Sequence, residues 1–166
     1  MKTKQNKALT IALRLITKRD RTEAELQDRL QKKGFSEKDI VETIQYLKQK
    51  GFIDDSKFIE RAEKIAEDRF LGTMGLKNYL MRKGIDKNLI QHIPEIDEFS
   101  IAQKLIQRKK HFLRDIQPDK KKAKIAGFLL RRGFSWDTVN KCLKLNDNFF
   151  GDIKSPQNDI LREDRK

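Results

Sequence analysis

The feature that most constrains this chain is an internal repeat centred on three glycines. Leu26-x-x-x-Leu30-x-Lys32-Lys33-Gly34-Phe35-Ser36 is followed by Ile40 and Ile44, and Leu76-x-x-x-Leu80-x-Arg82-Lys83-Gly84-Ile85-Asp86 is followed by Ile90. Ile125-x-x-x-Leu129-x-Arg131-Arg132-Gly133-Phe134-Ser135 is followed by Val139 and Leu143, so the glycines stand 50 and 49 residues apart. Self-similarity at a fixed period indicates a stack of like units, each too small to bury its own apolar face.

Each element of the repeat has a mechanical reading. The i, i+4 apolar pair marks the inward stripe of a helix. Two basic residues in its last turn complement the negative end of the helix dipole. Glycine takes the left-handed position that closes the helix, and the apolar residue after it folds back on the last turn. Ser36, Asp86 and Ser135 are placed to cap the next helix. Thr22 and Glu25 have capping-box spacing at the start of the helix before Gly34. A further helix is expected upstream of each pair: about 8–18 with Leu9, Ala12, Leu13 and Ile16 inward, about 56–69 with Phe58, Ala62, Ile65 and Ala66, and about 101–113 with Ala102, Leu105, Ile106 and Leu113.

The expected fold is therefore all-α, with three tandem three-helix repeats at 1–53, 54–95 and 96–147 in an elongated stack, and a polar, flexible tail at 148–166. Ile53-Asp54-Asp55 and Ile96-Asp97-Glu98 mark the junctions, where acidic side chains would favour the N-terminus of the following helix. Gly34 precedes its marker by 19 residues and Gly84 by only 12, so the last helix of the second unit is about two turns shorter. The link around Pro118 is longer in compensation.

The formal net charge is +13. Residues 1–53 carry 13 basic and 7 acidic side chains, residues 54–98 carry 8 and 10, and residues 99–166 carry 17 and 8. A basic field at both ends attracts polyanions, nucleic acid foremost. Candidate binding residues are the dibasic pairs Lys32/Lys33, Arg82/Lys83 and Arg131/Arg132, which would form a row along one edge, together with Arg108, Lys109, Lys110, Lys120, Lys121, Lys122 and Lys124. Dipole complementation competes with binding for the first two pairs, and a solvated loop competes for the last cluster. Phe70, Tyr79, Phe112 and Trp136 are candidates to stack on bases, against the commoner role of aromatics as core. Acidic residues of the middle unit, such as Glu60, Glu63, Glu67 and Asp68, could face a basic partner, whereas capping is the stronger reading for Asp54 and Asp55.

Catalysis finds no support: there is no phosphate-binding Gly-rich loop, paired-Cys motif or HExxH. His92 and His111 are isolated, and the single cysteine, Cys142, reads as a small buried hydrophobe. No cofactor or metal is expected. The basic start followed by an apolar stretch reads as an amphipathic helix, because Arg14 interrupts the run. The length of apolar runs gives no membrane span, and the expected location is the cytoplasm.

Ala12-Leu13-Arg14-Leu15 through Arg19-Asp20, with Thr22-x-x-Glu25-Leu26-x-x-x-Leu30, resembles the opening of RecX-type recombination regulators. Gly51-Phe52-Ile53-Asp54-Asp55-Ser56-Lys57-Phe58 matches the most distinctive stretch of that family, and Lys124-Ile125 with Phe128-Leu129-Leu130-x-Arg132-Gly133-Phe134 matches its third unit. The similarity runs from residue 8 to about 145. It implies a curved stack of three-helix units that lodges in the groove of the RecA–DNA filament and restrains extension, ATP turnover and strand exchange; the chain is expected to act as a monomer and not as an enzyme. Single-stranded DNA, and double-stranded DNA as a second form, would be the nucleic-acid partner. Two readings compete with this one: a helical-repeat DNA-binding protein with no RecA role, and a protein-interaction scaffold whose charge serves solubility.

Overall fold

The computed structural model describes residues 2–113 and 116–146, and these are helical with no strand among them. The polar segment expected from residue 148 lies outside the described residues. The first unit contains α1 (Lys2–Lys18), α2 (Glu23–Gln31) and α3 (Glu37–Gln49). The second contains α4 (Ser56–Glu60), α5 (Ala62–Arg69), α6 (Thr73–Arg82) and α7 (Lys87–Gln91). The third contains α8 (Glu98–Lys109), a 3₁₀ turn (Lys110–Leu113), α9 (Pro118–Arg131) and α10 (Trp136–Leu145).

The expected helix over 56–69 is broken into α4 and α5 at Arg61, which sits at φ −97°, ψ 11°. The expected shortening of the second unit is present: α7 has 5 residues where α3 has 13.

The repeated glycine turn is the same object three times. Gly34, Gly84 and Gly133 have φ of 80°, 78° and 77°, a region open to glycine at little cost. In each, the amide after the glycine returns to the carbonyl five residues back: Phe35 to Leu30 at 3.4 Å, Ile85 to Leu80 at 3.1 Å and Phe134 to Leu129 at 3.2 Å. This is the Schellman closure the sequence pattern predicts. Ser36, Asp86 and Ser135 cap α3, α7 and α10, accepting the amides of Asp39, Asn88 and Thr138.

The cores are not three. Ala8, Ala12, Leu26, Leu30, Ile40, Ile44, Leu47 and Ile53 form one buried cluster within the first unit. The second cluster joins the other two units, running from Ala62, Leu76 and Ile90 to Ile106, Leu129, Val139 and Cys142. With only 5 residues in α7, the second unit offers little apolar surface of its own. Its helices bury against the third unit instead, at roughly 1.5–3 kcal/mol per large aliphatic side chain.

The units meet end to end through their second helices. The N-terminus of α2 abuts the Gly84 turn of α6, and the N-terminus of α6 abuts the Gly133 turn of α9. Thr22 Oγ1 donates to Lys83 O at 2.6 Å, and the Gly72 and Met74 amides donate to Arg132 O and Gly133 O, both at 3.1 Å. Positive and negative dipole ends face each other at both joints. Contact is close enough that a Cβ on Gly84 would lie 2.2 Å from Ala24 Cβ, and one on Gly133 only 1.9 Å from Gly75 N. Around Gly34 nothing lies within 4 Å of that position.

Junction carboxylates complete each joint. Asp54 and Asp97 act locally, accepting from the Ser56 and Ser100 amides at 2.9 and 3.0 Å. Asp55 and Glu98, expected to cap the helices that follow, reach backward instead. Each accepts the first-turn amide of the preceding unit's second helix, Glu23 to Asp55 at 3.1 Å and Thr73 to Glu98 at 2.6 Å. α9 is one turn longer at its start, four residues further from its glycine than α2 and α6 are from theirs, and its first residue is Pro118, which has no amide hydrogen.

Candidate nucleic-acid interface

The three dibasic pairs do not form one free row, because the joints use their second members. Lys83 Nζ pairs with Glu25 Oε1, and Arg132 Nη1 donates to Arg69 O at 2.7 Å. Glu25, expected to complete a capping box with Thr22, instead faces Lys83 and Arg19. Burial would raise its carboxyl, but hydrogen bonds from those two cations outweigh the effect and hold it below the ordinary value. Of the first members, Lys32 pairs with Asp28 at 2.7 Å, while Arg82 and Arg131 are exposed on the last turns of α6 and α9. Lys33 is exposed beside the open Gly34 turn.

The third-unit cations divide into two sets. Lys120, Lys121, Lys122 and Lys124 lie in the N-terminal half of α9, and Lys110 opens the 3₁₀ turn. Arg108 and Lys109, at the end of α8, lie over aromatic rings. The Arg108 guanidinium sits 4.6 Å from the Phe70 ring centroid, and Lys109 Nζ lies 4.9 Å from Phe112 and 5.7 Å from Phe128. Arg132 covers Phe128 at 5.5 Å, and Tyr79 is flanked by Arg69 at 4.4 Å and Lys83 at 5.8 Å.

Shared rings, the Arg132–Arg69 hydrogen bond and the chain neighbours Arg69–Phe70 and Arg108–Lys109 make these pairs continuous. They form a cation–aromatic belt crossing the second and third units. Among the described residues, no carboxylate lies within ion-pair distance of Arg69, Arg108, Lys109 or Arg132. Cations stacked on rings lose little further freedom on meeting an anion. The belt therefore presents fixed positive charge.

Two further observations locate strain and desolvation here. Phe70 closes α5 at φ 51°, ψ 58°, a left-handed conformation that a bulky side chain adopts only at a cost of order 1 kcal/mol. Its ring lies beneath Arg108 as a result. At its Arg69–Tyr79 end the belt opens into a cleft of about 560 Å³ between the first and second units. Arg21 lines this cleft, with Nη1 buried and lacking a hydrogen-bond partner among the described residues. Burial, with Arg19 nearby, pulls its pKa below the ordinary value.

Aromatic candidates fare unequally. Phe112 is 65% exposed and Trp136 58%, whereas Phe70 and Tyr79 are half-buried platforms for arginines. Phe128 and Arg69 were not singled out by sequence. Their i, i+4 and inter-helix partners become visible only once α5, α8 and α9 are side by side. Cys142 is buried, and burial pushes its thiol up to about 11, which makes it an inert core residue.

No helix among the described residues is long and apolar enough to cross a membrane. The family descriptions "RecX, first three-helix domain" and "RecX, third three-helix domain" match residues 8–47 and 95–143. Regulatory protein RecX of Clostridium perfringens is 34% identical over 141 residues; the match spans 80% of this chain and 65% of that relative's length. Regulatory protein RecX of Chlorobaculum tepidum is 31% identical over 144 residues, covering 86% of this chain and 89% of the relative. The crystal structure of RecX from Lactobacillus salivarius superposes with a TM-score of 0.69 at 23% identity, over 89% of this chain and 99% of that one. Another crystal structure of regulatory protein RecX gives 0.72 at 21% identity, over 84% and 73%. The two domain matches fall on the first and third bundles, and a relative of similar length shares the intervening unit. The chain belongs to the RecX family of regulatory proteins.

Proposed function

We propose that the chain is a RecA regulator that binds the RecA–DNA filament and reduces ATP hydrolysis and strand exchange by occupying it, without catalysis or cofactor. Family membership supports a regulatory role. The observation that carries the filament reading is the belt, a rigid cationic face on a protein of net charge +13, suited to a polymer of anions. In this reading the monomer acts in the cytoplasm as three units, 1–53, 54–95 and 96–147. The exposed cations Arg82, Arg131, Lys120 and Lys124 lie outside the belt and add to its long-range attraction.

Steady-state ATP hydrolysis by RecA on single-stranded DNA tests this. Sub-stoichiometric or equimolar regulator is expected to depress the rate, and an unchanged rate at equimolar protein overturns the proposal. The belt also favours a second reading, DNA binding with no recombinase role. Tight DNA binding together with unaffected ATP hydrolysis would select it.

A further inference from the structure

We infer that the belt is a contact site for single-stranded nucleic acid: phosphates meet Arg69, Arg108, Lys109 and Arg132, and an unpaired base lies on the exposed ring of Phe112, on the face away from Lys109. This deepens the filament reading by naming the DNA strand itself as the ligand of this face. It can be measured without the recombinase.

Three features point to a single strand. The cations lack carboxylate partners among the described residues, so an incoming anion displaces no internal ion pair. They are held on rings rather than free in solvent, and a planar guanidinium fork so oriented matches a phosphate. Phe112 is 65% exposed at the end of the belt, edge-on to His111 at a centroid distance of 4.2 Å and 62° between planes. An apolar ring so placed has nothing to gain from a duplex, whose base faces are covered by stacking, but offers a platform to an unpaired base. An acidic protein segment would satisfy the cations and leave this ring without a planar partner.

The test measures binding of the full chain to fluorescein-labelled oligothymidylate and to a hairpin duplex as a function of salt. Arg108→Gln with Lys109→Gln is expected to weaken oligothymidylate binding at least tenfold. It should also flatten the slope of log K against log salt by about 1.4, since each neutralised phosphate contact contributes about 0.7 on a single strand. Phe112→Ala is expected to weaken single-strand binding roughly tenfold with the slope unchanged, and to leave duplex binding as it was. Lys32→Gln with Lys33→Gln, at the opposite end of the stack, serves as the distal control, and helicity by circular dichroism confirms that each variant is folded.

Wild-type single-strand affinity in both belt variants overturns the inference. So does Phe112→Ala weakening duplex and single strand alike, or polyglutamate competing as well as oligothymidylate at equal charge, which would assign the face to an acidic protein. Inhibition of RecA retained by a variant that no longer binds the strand would overturn the belt's part in the filament while sparing the regulatory reading.

Discussion

The two joints of this molecule use the same parts and differ in what backs them. Between the first and second units the parts are side-chain groups: the Thr22 hydroxyl, the Glu25–Lys83 and Asp20–Arg61 ion pairs, and Asp55. The apolar cores on the two sides are separate. Between the second and third units, backbone meets backbone at Gly72, Gly75 and Gly133, and one core runs through. The carboxylates follow the same contrast. Asp55 accepts one amide, and burial pushes its pKa up. Glu98 is also partly buried, but hydrogen bonds from the Ser135 hydroxyl and the Thr73 and Ser135 amides prevail and hold it at about 2, with the Thr138 hydroxyl a further donor at 3.0 Å. A repeated motif thus yields one fused pair and one separable unit.

The glycines break the comparison most sharply. Gly133→Ala should cost roughly 3–5 kcal/mol in urea unfolding, since its Cβ meets rigid backbone. Gly84→Ala, facing the Ala24 methyl, should cost less, and Ala24→Gly should recover part of the loss. Gly34→Ala should show only backbone strain, about 1–2 kcal/mol. Equal losses at all three would mean that the glycines serve only to close helices.

Next in size are the carboxylates. Glu98→Ala leaves several donors without an acceptor and should cost about 2–3 kcal/mol, against about 1 for Asp55→Ala. Their pH dependences have opposite signs. The Glu98 pKa is depressed on folding, so its contribution is present above about pH 4.5 and is lost as pH falls toward 2. Asp55 is raised, so its protonation favours the folded state and stability from this group declines as pH rises through its pKa. Asp55→Asn should remove that decline and change stability at pH 7 by under about 1 kcal/mol. Equilibrium unfolding of both variants from pH 2 to 7 measures the two slopes.

The smallest effect concerns cohesion. Amide hydrogen exchange should show α1–α3 opening as a unit separate from α5–α10. Added salt should weaken the exposed Asp20–Arg61 pair more than the half-buried Glu25–Lys83 pair. A single cooperative exchange unit across all ten helices would erase the distinction between the joints.

Features set by near neighbours were legible in the sequence: the glycine turns, the Ser36, Asp86, Ser135 and Asp97 caps, the short α7 and the buried Leu26/Leu30, Leu76/Leu80 and Ile125/Leu129 pairs. Each follows from spacing within one or two turns. Features that depend on units docking were not. Asp54 and Asp55 are neighbours of the same type, yet one accepts the first amide of its own helix and the other reaches 32 residues back. Lys83 and Arg132 read as a surface pair with their neighbours until the joints bury them. The belt was legible only in part: Arg108, Lys109 and Phe112 drew notice as charges or rings, but nothing local links them to Arg69, Tyr79 and Phe128.

Pro118 has a consequence for assembly. Two copies extending the stack by the same joint would set the start of α9 in one against the Gly34 turn of the other. The proline nitrogen brings no hydrogen to that meeting, and α1 has no acidic residue in its first turn to receive one. Donor and acceptor of that one bond are missing together, so a joint between copies would lack the carboxylate clamp that backs both joints inside the molecule.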